Sequence, residues 1–277
     1  MRNLPINRRA LGVIVVITKD FVFIHMPKTG GTFVTEMLRK VYLGYRWRSD
    51  ECVTLKVKCR HLRDRFFRTL SLSPWVDRNK HGSCNDIPRK YRSLPILGCI
   101  RNPFEWYVSS YEYQWWKRHP EEYPGLTDNP DFPNLSFGQF LQLQNKDWLT
   151  LFNPGVAVDP TIGRFTTLFI NFYFRRPNEV LQSVANLKSK ERLAKEMHPV
   201  TFLHTETLNR DLSKYLSQFV SNTRRVGLVE SEKPILPAGA DSRRRHWRDY
   251  YDTDLMAKIR ERDRLIFSLF PAYDTER

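Results

Sequence analysis

FVFIHMPKTGGTFVTEML, residues 21–38, joins an apolar run to a Pro-Lys-Thr-Gly-Gly-Thr turn and then to the opening of a helix. The run Phe21 to His25 fits a short buried strand. After the turn, Val34, Met37, Leu38, Val41 and Tyr42 recur at the spacing of one apolar helix stripe. A strand, a glycine turn and a helix in that order make an anion site. The two glycines let backbone approach a ligand closely, and the first N–H groups of a helix have no internal acceptor. Lys28 adds a positive charge and Thr32 a hydroxyl at the helix start. A lysine-bearing turn that binds nothing is the plainer alternative.

A second junction of the same kind lies further along. Leu94 to Ile100, LPILGCI, is a continuous apolar run suited to a strand covered on both faces. RNPFEWYVSSY, residues 101–111, follows at once: Asn102 suits an N-cap, Pro103 the first helical position, and Glu105 the closing position of a capping box. Phe104, Tyr107, Val108, Tyr111 and Trp115 continue as one apolar stripe. Arg101 then sits at the carboxyl end of a strand, the edge where open α/β sheets hold ligands, and Ser109 lies about two turns into the helix.

A Walker A loop places its lysine after the glycines, whereas Lys28 precedes them, so an ATPase, GTPase or kinase reading is disfavoured. PKTGGT instead resembles the 5′-phosphosulfate loop of sulfotransferases that use 3′-phosphoadenosine 5′-phosphosulfate (PAPS). Arg101 with Ser109 eight positions on resembles the 3′-phosphate-binding element of the same family. The resemblance implies that backbone from Thr29 through Gly30, Gly31 and Thr32 to Phe33 holds the 5′-phosphate. It implies that Lys28 is catalytic and that Arg101 and Ser109 bind the 3′-phosphate. In the uronyl 2-O-sulfotransferase-like branch, a histidine shortly before the second strand serves as the acceptor's base, and His81 in Lys80-His81-Gly82 holds a comparable place. Only one histidine of that branch's HGH segment is present, and an exposed loop histidine is the plainer reading. His25 reads as structural.

The fold expected is α/β: a P-loop-like three-layer arrangement with a mostly parallel central sheet flanked by helices. Residues 1–277 form a single sulfotransferase domain, with the 5′-phosphosulfate loop at 25–33 and the 3′-phosphate element at 101–109. An acceptor loop is expected at 117–134, and a C-terminal basic segment with a helix at 242–273. The implied reaction moves a sulfuryl group from PAPS to a hydroxyl on a carbohydrate, glycan or glycolipid, with no metal. Toward the C-terminus, Val200 to His204 reads as a strand, and Glu206 and Asp211 as capping groups for the helix after it.

Bulk composition is compatible with this and less specific. A chain of 277 residues, 41% hydrophobic and 13% aromatic, is globular and long enough for one large domain. A net charge of +15 points to acidic partners: a nucleotide, an anionic glycan, an anionic membrane face or nucleic acid. The competing reading is a non-catalytic basic module that binds an anionic polymer or nucleic acid. The basic run Arg46 to Arg68 fits an acceptor surface or a solvated helical face, and Arg243 to Arg245 likewise.

Cys52, Cys59, Cys84 and Cys99 lack metal spacing and read as buried free thiols. The apolar run Leu11 to Ile17 is too short to span a bilayer and reads as a buried strand. The expectation is therefore a cytoplasmic protein with no transmembrane segment, peripheral membrane contact remaining open, and no nucleic-acid partner. Phe165 to Phe174 reads as a buried aromatic segment between loops at 153–163 and 175–178, and Ser231 to Asp241 as a linker.

Overall fold

The computed structural model describes residues 15–43, 81–149, 151, 155–182, 190–233 and 245–274. The basic run Arg46 to Arg68, Cys52, Cys59, Arg243, Arg244, most of the linker and the start of the run Leu11 to Ile17 lie outside the described residues.

Four strands stand side by side in chain order: β1 (Val16–Ile17), β2 (Val22–Ile24), β3 (Ile96–Ile100) and β4 (Val200–His204). β2, β3 and β4 are parallel, with Val22 opposite Ile96 and Ile96 opposite Val200. β1 turns back antiparallel, Ile17 against Val22. As the edge strand it is half-buried, where the sequence suggested a buried strand. The sheet is thus mostly parallel and open.

Alternation along the strands divides the apolar residues between two cores. Phe21, Phe23, Leu97 and Cys99 pack on one face with α1 (Gly31–Leu43), α8 (Leu208–Leu216) and α9 (Thr223–Ser231). Val22, Ile24, Ile96 and Ile100 face a larger, aromatic core. That core is built by α2 (Pro103–Tyr113), α4 (Phe137–Gln144), α5 (Arg164–Tyr173) and the C-terminal helices α10 (Thr253–Arg262) and α11 (Arg264–Leu269). Fully buried rings such as Phe23, Phe104 and Phe169 each contribute about 2–3 kcal/mol. In α5 every residue but Asn171 is buried, so it runs through the core rather than over it. The buried aromatic segment expected from Phe165 is this helix.

Several boundaries differ from the sequence reading. The strand expected at Phe21 to His25 is trimmed to Val22–Ile24. α2 stops at Tyr113 because Gln114 takes a left-handed conformation, φ 50°, and Trp115 opens a separate short helix, α3 (Trp115–Arg118). The loop expected at Lys117 therefore begins two residues later. It is anchored, with Leu126 fully buried and Tyr123 edge-on to Trp148 at 4.6 Å. The loop expected at 175–178 gives way at Pro177 to α6 (Pro177–Gln182). α7 (Lys190–Glu196) precedes β4. Cys84 and Cys99 are buried free thiols, and burial pushes the Cys84 thiol up to about 12. No helix among the described residues is long and apolar enough to cross a membrane.

The single C-terminal helix expected from 242 is instead a 3-10 turn (Trp247–Tyr250), α10 and α11, broken at Asp263. The break turns the Asp263 carboxylate inward. It accepts from the Thr166 amide and hydroxyl, both at 2.8 Å, and lies 2.9 Å from the Tyr107 hydroxyl. A Cβ on Gly163 would fall 2.5 Å from this carboxylate, so only glycine fits where α5 begins. One acid thereby joins α2, α5 and the C-terminal helices.

Burial raises the Asp263 pKa from 3.8 to about 6, against hydrogen bonds from Thr166 and Tyr107 and the charge of Arg262. A carboxyl whose native pKa lies above its unfolded one favours folding most when protonated. Its contribution is full below 3.8 and is lost as pH rises through about 6. Asp263→Asn should therefore flatten the stability profile across that window in urea titrations. Asp263→Ala, which strips Thr166 of its buried acceptor, should cost about 1–3 kcal/mol, most at low pH and less as pH rises through about 6.

Candidate functional site

Between β2 and α1 the backbone from His25 to Thr29 is gripped carbonyl by carbonyl. His25 O accepts from His81 Nδ1 (2.8 Å), Met26 O from Thr29 Oγ1 (2.8 Å) and Pro27 O from Trp106 Nε1 (2.9 Å). Lys28 O accepts from Arg101 Nη1 and Thr29 O from Thr205 Oγ1, both at 3.4 Å. Left-handed backbone at Lys28 (φ 66°) and Gly30 (φ 83°) is the kind of turn in which successive N–H groups can build an anion nest. The amides of Gly31, Thr32 and Phe33 follow at the head of α1, where no earlier turn accepts them.

Each residue singled out in the sequence now has a place. Thr29 is fully buried, and its hydroxyl is spent on Met26 O, so it offers backbone alone. Phe33 is buried beneath α1 and likewise offers only its N–H. Thr32 is exposed. Gly31 is required by His25: a Cβ there would lie 2.0 Å from the imidazole Cδ2.

Arg101 closes one end of the site. Its guanidinium grips Glu105 Oε2 at 2.9 Å while touching Lys28 O. The capping box expected of Glu105 therefore does not form. Asn102 still caps α2, accepting from Phe104 N at 3.0 Å, but its own N–H goes to Glu206 Oε1 at 3.0 Å. Glu206 also accepts from Tyr273, and Asp211 accepts from the Thr207 hydroxyl at 2.6 Å, so both acids brace the turn after β4. Glu105, Ser109 and Tyr113 fall at i, i+4 and i+8 on one face of α2. Ser109 thus lies between the partner of Arg101 and Tyr113.

The Lys28 ammonium sits over the Tyr113 ring, 3.9 Å from its centroid. Burial, with the charges of Arg101 and Arg118, lowers its pKa from 10.5 to about 7. Arg118 was not singled out in the sequence, nor were Trp106, Thr205 and Tyr113. Only the spacing of Tyr113 from Ser109 carried a signal for any of them.

His81 lies edge-on to His25, with ring centroids 4.7 Å apart. A carbonyl can only accept, so the Nδ1 facing His25 O must carry the proton. In neutral His81 the lone pair is then on Nε2. That is the form a general base needs. Among the described residues, His119, Glu121 and Glu122 could present metal ligands, their atoms lying within 4.8 Å of one another. Glu122 already accepts from Trp115 Nε1 at 2.8 Å.

The chain matches no family model, no curated protein and no solved structure.

Lys28 should be an unusually nucleophilic amine. In competitive acetylation followed by mass spectrometry, its labelling should titrate with a midpoint near 7, against ordinary lysines near 10.5. The midpoint should rise in Arg101→Ala, which removes a neighbouring charge.

Proposed function

We propose that this chain is a PAPS-dependent sulfotransferase with a P-loop-like core, transferring a sulfuryl group to a carbohydrate hydroxyl. The observation that carries the reading is the meeting of two strand-to-helix junctions. The PKTGGT loop carries left-handed backbone at Lys28 and Gly30 ahead of the first amides of α1, and Arg101, from the second junction, is tied to the carbonyl of Lys28. Nearby, Arg101 is paired with Glu105, and Lys28 has the charges of Arg101 and Arg118 beside it, which favours an anion there. The spacing of Arg101 and Ser109 supports the same reading.

In this mechanism the amides of Thr29 to Phe33 hold the 5′-phosphate, and Arg101 and Ser109 hold the 3′-phosphate. That second grip supplies binding energy remote from the reacting sulfur. The acceptor oxygen attacks sulfur, the bond from sulfur to the bridging oxygen breaks, and 3′-phosphoadenosine 5′-phosphate (PAP) leaves. His81 Nε2 takes the acceptor's proton. Protonated Lys28 offsets charge growing on the bridging oxygen, a preorganised electrostatic role. Dianion binding favours that protonated form, since an opposite charge raises a lysine pKa.

PAP should raise the melting temperature of wild type in a concentration-dependent way, as any ligand specific to the native state must. ATP should not, and Lys28→Ala and Arg101→Ala should lose the shift. With labelled PAPS and a panel of glycans, His81→Ala should reduce turnover by about 10²–10⁴-fold while keeping the PAP shift. A protein stabilised by polyanions but indifferent to PAP would instead be a binding module.

A further inference from the structure

Arg118 ends α3 and is carried back over α2 by the left-handed turn at Gln114. Its Nη2 donates to Tyr113 O at 2.7 Å, and its guanidinium lies 4.7 Å from the Tyr113 ring centroid and 5.4 Å from that of Trp115. Tyr113 and Trp115 are themselves stacked, 7° from parallel. The Lys28 ammonium lies over the same Tyr113 ring. Two cations therefore share one aromatic platform, and the charge of Arg118 is strong enough to depress Lys28.

Glu105 is taken by Arg101, Glu122 accepts from Trp115 Nε1, and Glu121 lies 3.3 Å from His119 Nδ1. A guanidinium has five N–H donors, and the Tyr113 carbonyl takes one, so most of the fork remains for a ligand. The site also has two ends. Lys28 meets Arg101 through its backbone carbonyl, but its side chain reaches to Tyr113, eight residues along α2 from Glu105, or about 12 Å of helix.

We propose that Arg118 is a third anion-contacting residue of this site, gripping with Lys28 the anionic group on the nucleotide's 5′ side while Arg101 serves the 3′-phosphate. The assignment rests on the sulfotransferase reading. It adds a division of labour: the α3 end of the site recognises 5′-side charge, and the β3 end recognises 3′-side charge. After burial and Arg101, Arg118 also adds to the lowering of the Lys28 pKa. Among the described residues, Arg101 and Arg118 are the charges that bear on Lys28, and Glu105 is held by Arg101.

Titration calorimetry of wild type, Arg118→Ala and Arg118→Lys with PAP, adenosine 3′-monophosphate and adenosine 5′-monophosphate tests this. Arg118→Ala should weaken PAP and the 5′-monophosphate about tenfold or more while leaving the 3′-monophosphate unchanged, and Arg118→Lys should recover part of the loss. In Arg118→Ala the pH midpoint of Lys28 acetylation should move up, which the loss of a merely structural contact would not cause. Equal weakening toward both monophosphates, or no weakening, overturns the role of Arg118 while the sulfotransferase reading stands. Wild type that fails to bind PAP overturns that reading, and this one with it.

Discussion

Consecutive backbone carbonyls from His25 to Thr29, each held by a different side chain, are the constraint on which the rest of the site depends. A lysine at φ 66° is costly alone. Here it is over-determined. Donors arrive from α2 (Trp106), from the ends of β3 and β4 (Arg101, Thr205) and from the segment before β3 (His81), so the loop cannot relax without loosening several elements. The sheet, in this light, is a device for bringing those donors to one edge.

The electrostatics follow from the same geometry. Lys28 is pinned close to Arg101 by backbone and led by its side chain to Arg118, so two positive charges bear on a third that is half removed from water. A fold gains nothing from such crowding unless an anion completes it. His81 is placed by the same loop: its bond to His25 O selects a tautomer, and the His25 ring is itself seated against Gly31. The proposed proton handling and anion binding would therefore share a mechanical origin in five residues of backbone.

Much of this was legible from local signals. Glycines after a strand, an apolar stripe at helical spacing and an Asn-Pro helix start are decided within a few residues, and β2, α1, β3 and α2 formed where they pointed. What could not be read was settled at a distance. Glu105 fits a capping box until Arg101 is seen to hold it and Glu206, from beyond β4, to take the Asn102 amide. Gln114 gives no warning of a left-handed turn, because the preference for glycine or asparagine there is overridden by the packing that follows. Asp263 did carry a usable signal, as an aspartate suited to an N-cap within an otherwise continuous amphipathic run. The importance of Arg118 came only from what α3 folds back upon.

The two cores also differ in when they can form along a growing chain. Among the described residues, the face packed by α1, α8 and α9 draws its buried residues from nothing later than Val229, whereas the aromatic face needs Trp247, Ile259, Phe267 and Tyr273. A ribosome would thus release a half-built molecule in which one side of the sheet is already dry. The N-terminal turn of α5 would still lack Asp263, and Glu206 would still lack Tyr273. Vectorial synthesis would thus close the brace behind Asn102 only after Tyr273 had emerged, well after the strands and α1 that it steadies.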